Sequence, residues 1–227
     1  MRSFFRVVWL VLRKDMTVEV RSFEIISTTL FFAVSVVLFF AFALVKEGQP
    51  PGDAAAGILW IAIAFAGTLA LGRTFEREGK SETLRALLLA PCDRPAIYVA
   101  KLLGMVGLLM GAELILVPLV ALFFQAQLLA HPFWLGALLV SGTLGYAAVG
   151  TLFAAMLVRA RSRDVLLPIL LYPITIPVII AGVRGTATLL DPAGEIAMVR
   201  FWTMLLVTFD AVFVALALWT FETLMTD

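Results

Sequence analysis

Six apolar stretches divide the chain, at residues 25–45, 54–71, 102–124, 133–158, 165–183 and 196–221. Each is long enough to cross about 30 Å of hydrocarbon as a helix. Lipid offers no hydrogen-bond partner, so a spanning segment must satisfy its own backbone, and helices do this without help from neighbours. No strand alternation competes with that pattern. Composition agrees: 62% of residues are hydrophobic and 15% charged, far from the balance of a soluble domain. The sequence therefore predicts a single all-α membrane domain over 1–227. Its 227 residues leave no room for a large soluble domain beside six spans. A net charge of +1 gives no electrostatic footprint for nucleic acid. The single Cys92 cannot form an internal disulfide, and no CxxCH haem-attachment motif is present. No small-residue cleavage site follows an apolar core at the N-terminus, so no signal peptide is expected there.

Orientation follows from the basic residues. Fourteen of the seventeen Lys and Arg fall in the N-terminal segment, the second-to-third connection (Arg73 to Lys101) and the fourth-to-fifth connection (Arg159, Arg161, Arg163). Only Lys46, Arg184 and Arg200 fall on the other side. The positive-inside rule then places both termini in the cytoplasm. Trp60, Trp134 and Trp202 fall near the outer ends of spans two, four and six, and Trp219 near the inner end of span six, as headgroup-level belts would have them. Residues 1–20 read as an amphipathic interfacial helix, with Arg2, Arg6 and Arg13 to one side and Phe4, Phe5, Val8, Trp9 and Leu12 over the rest. It serves either as a basic anchor for topology or as an elbow bracing a transporter.

Gly79-Lys80-Ser81 ends like a phosphate-binding loop, but that motif needs a glycine five positions earlier, where Thr74 stands. Glu76 and Glu78 lie in between and would repel a triphosphate. The chain is not expected to bind ATP. Ser81 reads instead as the cap of a short helix with Glu82 in its first turn. Leu84, Leu87 and Leu88 share one face of it, and Pro91 stops it. So short a helix must dock on something: either the inner ends of neighbouring spans, or a groove on a separate ATPase subunit.

GILWIAIAFAGTLALGRTFEREGKSETLRALLLAPCDRPAIYVAK (57–101) resembles the second span and cytoplasmic loop of the CcmB family, the membrane subunit of the bacterial haem-export complex for cytochrome c maturation. VLLPILLYPITIPVIIAG (165–182) is similar to the family's fifth span, and RSFEIIS (21–27) to the start of its first. The resemblance implies a permease like those of type-2 ABC exporters, in the bacterial inner membrane and without catalytic residues of its own. ATP would be bound by the partner CcmA, and haem would be handled by the complex together with CcmC, CcmD and the chaperone CcmE. The ATPase contact it implies is Glu76, Glu78, Glu82, Leu84, Leu87, Leu88 and Pro91.

Two acids lie within spans, Glu113 and Asp210. A carboxylate at a helix centre costs about 2.5–3.5 kcal/mol on insertion scales, so each should face protein or water. They mark either a polar substrate path or a hydrogen bond to a neighbouring helix. His131, the only histidine, is the sole candidate haem ligand, without a second ligand in view. Pro168, Pro173 and Pro177 predict a kinked or interrupted fifth span, whether a moving bend or a fixed one. Residues 183–199 read as a long outer connection containing a re-entrant or interfacial helix pair. An exporter of lipid or drug-like molecules is the alternative within the same class. A stand-alone channel or secondary transporter would call for two matching halves with broken helices, and one strongly broken span is present.

Overall fold

The computed structural model describes residues 2–44, 54–81, 94–157, 160 and 162–224, and the side chains of all of these except 2, 3, 75–81 and 221–224. Seven long helices account for nearly all of them: α1 (Arg2–Ser22), α2 (Glu24–Ala43), α3 (Ala55–Ser81), α4 (Arg94–Phe123), α5 (Pro132–Met156), α6 (Arg163–Leu190) and α7 (Ile196–Leu224). A single 3-10 turn, Leu128–Ala130, lies between α4 and α5. Among the described residues there is no strand. Helices α2 to α7 are each long and apolar enough to cross a bilayer, so the chain is a multi-pass membrane protein with the six expected spans.

Helix α1 is amphipathic as expected. Val8 and Val11 bury against Ala96 and Ala100 of α4. Phe5, Trp9 and Leu10 are exposed on the other side, together with Arg6 and Arg13. An ion pair, Lys101 Nζ to Asp15 Oδ2 at 2.6 Å, ties α1 to α4 with the lysine almost wholly buried. The break to α2 is one residue long. Phe23 adopts a left-handed φ of 51°, an unusual place for a bulky side chain. α2 lacks a local cap. Glu19 supplies one from the end of α1, its Oε1 accepting the Ile26 N–H at 2.8 Å.

Several boundaries correct the sequence expectation. α3 does not stop near Leu71 but is helical through Ser81, the last residue described before Arg94. Glu, Arg and Lys at 76–80 are good helix formers, and they extend the span into a charged stalk. Glu82, Leu84, Leu87, Leu88 and Pro91 lie outside the described residues, as do the side chains of Glu76 and Glu78. The long outer connection at 183–199 is also absent: α6 continues to Leu190, and only residues 191–195 separate it from α7. Arg184 and Thr188 ride on the last turns of α6, where the Thr188 hydroxyl is satisfied by donating to the Arg184 carbonyl at 2.8 Å. All three prolines lie inside α6, which continues through them rather than being interrupted.

Candidate functional site

Helix α5 is the hub. Its middle reads SGTLGYAAVG (141–150), and small residues let other helices approach closely. Trp60 of α3 was placed in a headgroup belt by its sequence position. It is instead fully buried, its indole lying between Gly142 of α5 and Gly182 of α6, where a Cβ at either position would overlap the ring. Its Nε1–H donates to Thr186 Oγ1 of α6 at 2.9 Å. Trp134 and Trp202 are partly buried against a small cluster around Leu138 and Leu206, and Trp219 is broadly exposed. Two turns along α3, the Thr68 hydroxyl lies 2.6 Å from Tyr146 Oη of α5 and donates to Tyr172 Oη of α6 at 3.1 Å. Tyr146 Oη also donates to the Ala64 carbonyl at 2.7 Å. Helices α3, α5 and α6 are thus joined at two levels.

Both intramembrane acids are buried, and both face α5. Glu113 Oε1 accepts a hydrogen bond from Thr143, while its Oε2 has no partner among the described residues. Asp210 of α7 lies against Gly145, where a Cβ would stand 2.5 Å from Oδ1. That oxygen too has no described partner. Residues 143 and 145 point to opposite sides of a helix that turns about 100° per residue, so the acids flank α5 and do not form a pair. The acids themselves were legible as polar residues in apolar runs. Thr143 and Gly145 were not, because nothing local links them to carboxylates 30 and 65 positions away.

His131 lies elsewhere, exposed at the start of α5. It lines an open cleft of about 760 Å³ between the 125–131 connection and the α6–α7 turn, with Gln125, Gln127, Thr188, Asp191 and Ile196. This is the size of a small-molecule site. The cleft brings one imidazole and one carboxylate to its wall and no aromatic ring. Among the described residues no three His, Cys, Asp or Glu side chains gather as metal ligands.

Residues 6–225 match the family model described as CcmB protein. The chain belongs to the CcmB family. Every helix above lies wholly or largely within the matched range. Heme exporter protein B of Rhodobacter capsulatus is 30% identical over 172 residues, covering 75% of this chain and 78% of that one. Heme exporter protein B of Escherichia coli K12 is 32% identical over 174 residues, covering 76% and 78%. The protein of that name from Pseudomonas aeruginosa is 30% identical over 163 residues, covering 71% and 72%. The proline-bearing α6 and the α3 stalk, which carry the resemblance in the sequence, are thus parts of a CcmB-family fold in which α3, α5 and α6 form the packed centre.

Proposed function

We propose that this chain is the membrane permease subunit of an ABC-type complex that exports haem and delivers it to a periplasmic haem chaperone during cytochrome c maturation. One observation carries the reading: the CcmB match over 6–225, with relatives named Heme exporter protein B. Haem is the cargo here, and the chain has no catalytic role. ATP is hydrolysed by the partner CcmA, consistent with a Gly79-Lys80-Ser81 that lacks the preceding glycine and lies within helix α3. CcmC, CcmD and the chaperone CcmE complete the assembly. The protein resides in the bacterial inner membrane with both termini cytoplasmic, on the strength of the Lys and Arg distribution.

The geometry suggests how the ATPase would act. From Leu71 to Ser81, α3 extends about 15 Å at 1.5 Å per residue. Leu84, Leu87 and Leu88, the proposed ATPase contact, follow this stalk in the sequence. A push on that stalk reaches α6 through the Trp60 slot and the Thr68–Tyr172 hydrogen bond. In α6, each proline removes a backbone donor and loosens the helix locally. Displacement entering through α3 would therefore be taken up by bending in α6.

The test is complementation. In a strain lacking its own haem exporter B, this chain and its cognate ATPase should restore haem-loaded chaperone and mature cytochrome c. Leu87→Asp should insert normally yet leave the ATPase out of the membrane fraction, since it places an unpaired charge in an apolar contact. Normal co-purification of the ATPase with this variant would refute the docking role. ATPase stimulation by lipid or drug-like molecules, with cytochrome c unrestored, would favour the other exporter class.

A further inference from the structure

We propose that the corner between α1, α2 and α4 holds one anionic phospholipid, its phosphate on Arg13 and Arg21, its glycerol ester on Thr29, and an acyl chain along Gly107 and Gly111. Two adjoining cavities outline it. A shallow groove of about 390 Å³ runs along α1, with Trp9, Leu12, Met16 and Val20 as its floor and Arg13 and Arg21 beside them. A hollow of about 160 Å³ continues from it between α2 and α4, lined by Met16, Glu19, Thr29, Gly107, Gly111 and Ile115. Met16 borders both, so the two meet.

The unsatisfied group in the hollow is Thr29. Thr17, Thr28, Ser35, Thr188 and Thr220 each donate to the carbonyl four residues back, the usual way a helical hydroxyl is satisfied in lipid. Thr29 does not. It is fully buried, its Oγ1 has no partner among the described residues, and it lines the cavity. A buried hydroxyl left so costs free energy that an acceptor in the hollow would recover. Thr29 lies in the second turn of α2. On the facing helix, a Cβ at Gly107 or Gly111 would meet nothing within 4 Å, so no described residue packs on those glycines. That leaves a smooth bed for an alkyl chain.

Charge selects an anion. The Arg13 and Arg21 side chains are exposed, and neither has an ionic partner among the described residues. They lie eight residues apart, about 12 Å along the helix, within reach of a common phosphate from either side. Arginine binds phosphate with paired N–H donors, and basic pockets beside transmembrane helices recruit anionic lipid. Glu19 lines the inner hollow rather than the groove beside the arginines, and its Oε1 accepts the Ile26 N–H.

Native mass spectrometry of the protein released from nanodiscs tests the site, using phosphatidylglycerol, cardiolipin or phosphatidylcholine as the probe lipid. The expected result is one retained anionic lipid and little retained phosphatidylcholine. Arg13→Gln with Arg21→Gln should reduce retention roughly tenfold or more. Thr29→Val should reduce it several-fold, while Thr28→Val, at a hydroxyl already bonded within its helix, should not. Gly111→Leu fills the hollow without touching charge and should also expel the lipid. Equal retention of phosphatidylcholine, or undiminished retention in the Arg and Thr29 variants, would overturn the proposal. So would a partner subunit's helix found in the hollow of a lipid-free complex.

Discussion

Around Trp60 three helices meet with no space left, whereas at the corner of α1, α2 and α4 three helices meet and leave a hollow. Both places are built from glycine and apolar side chains. The difference lies in what faces the glycines. Gly142 and Gly182 receive an indole from α3, but Gly107 and Gly111 receive nothing from the described residues. Within a bilayer, lipid tails are as apolar as leucine, so helices associate through close van der Waals fit and a few hydrogen bonds rather than by escaping water. Fit is therefore what separates a rigid centre from an open edge. The most apolar stretches of α3 and α5 are 67% and 72% buried, against 28% for α2 and 33% for both α4 and α6, so α3 and α5 are the helices enclosed by their own chain.

Filling the two kinds of glycine should break this comparison most sharply. Gly182→Leu drives a branched side chain into the Trp60 ring, and the ring has Gly142 behind it and no free space to move into. Overpacking alone costs about 1–3 kcal/mol, and the loss of the Trp60–Thr186 hydrogen bond adds about 1 kcal/mol. We expect the variant to aggregate on fluorescence-detected gel filtration, while Gly111→Leu elutes as wild type. Equal behaviour of the two would mean that the packed centre is not what stabilises the fold.

The next effect belongs to the edge, where a charge pair substitutes for close packing. Lys101 is almost wholly buried and Asp15 only partly so, which makes the pair asymmetric. Asp15→Ala takes its carboxylate away from a buried ammonium, costing up to about 3 kcal/mol. Lys101→Met puts an apolar chain of similar length into the same space, and Asp15 keeps Lys14 at 2.9 Å and access to water. Thermal melting in detergent should therefore drop more for Asp15→Ala than for Lys101→Met. The reverse order would show that the ammonium is well served without Asp15.

The same contrast governs what could be read from the sequence. Hydrophobic length gave all six spans, because crossing lipid imposes one requirement on every segment. Where charged residues are also good helix formers, as at 76–80, apolarity ends before the helix does. Polar residues at 184–190 similarly concealed the last turns of α6. Trp60 shows a different limit, since a tryptophan near a span end suits a lipid belt unless two distant glycines make a slot for it. Glu113 and Asp210 were visible as misfits in apolar runs, while their neighbours Thr143 and Gly145 depended on helix packing. The resemblance to CcmB rested on residues 57–101 and 165–182, and both the α3 stalk and the proline-bearing α6 carry it into the structure.

His131 should give the smallest effect of all. It immediately precedes Pro132 at the start of α5, yet its side chain makes no capping hydrogen bond, so the helix loses nothing with it. The imidazole is exposed, and surface substitutions of this kind usually stay within about 0.5 kcal/mol. Nor does the cleft around it supply what a porphyrin needs, for its wall offers Gln125, Gln127, Thr188 and Asp191 but no aromatic face and no second imidazole. One axial nitrogen at an open surface holds iron weakly against water and against a partner with a better site. His131→Ala should therefore leave thermal stability, the complex's haem absorption bands and mature cytochrome c at wild-type levels. Loss of those bands with the complex still assembled would move the haem ligand onto this subunit and make the outer cleft, rather than the packed centre, its functional site.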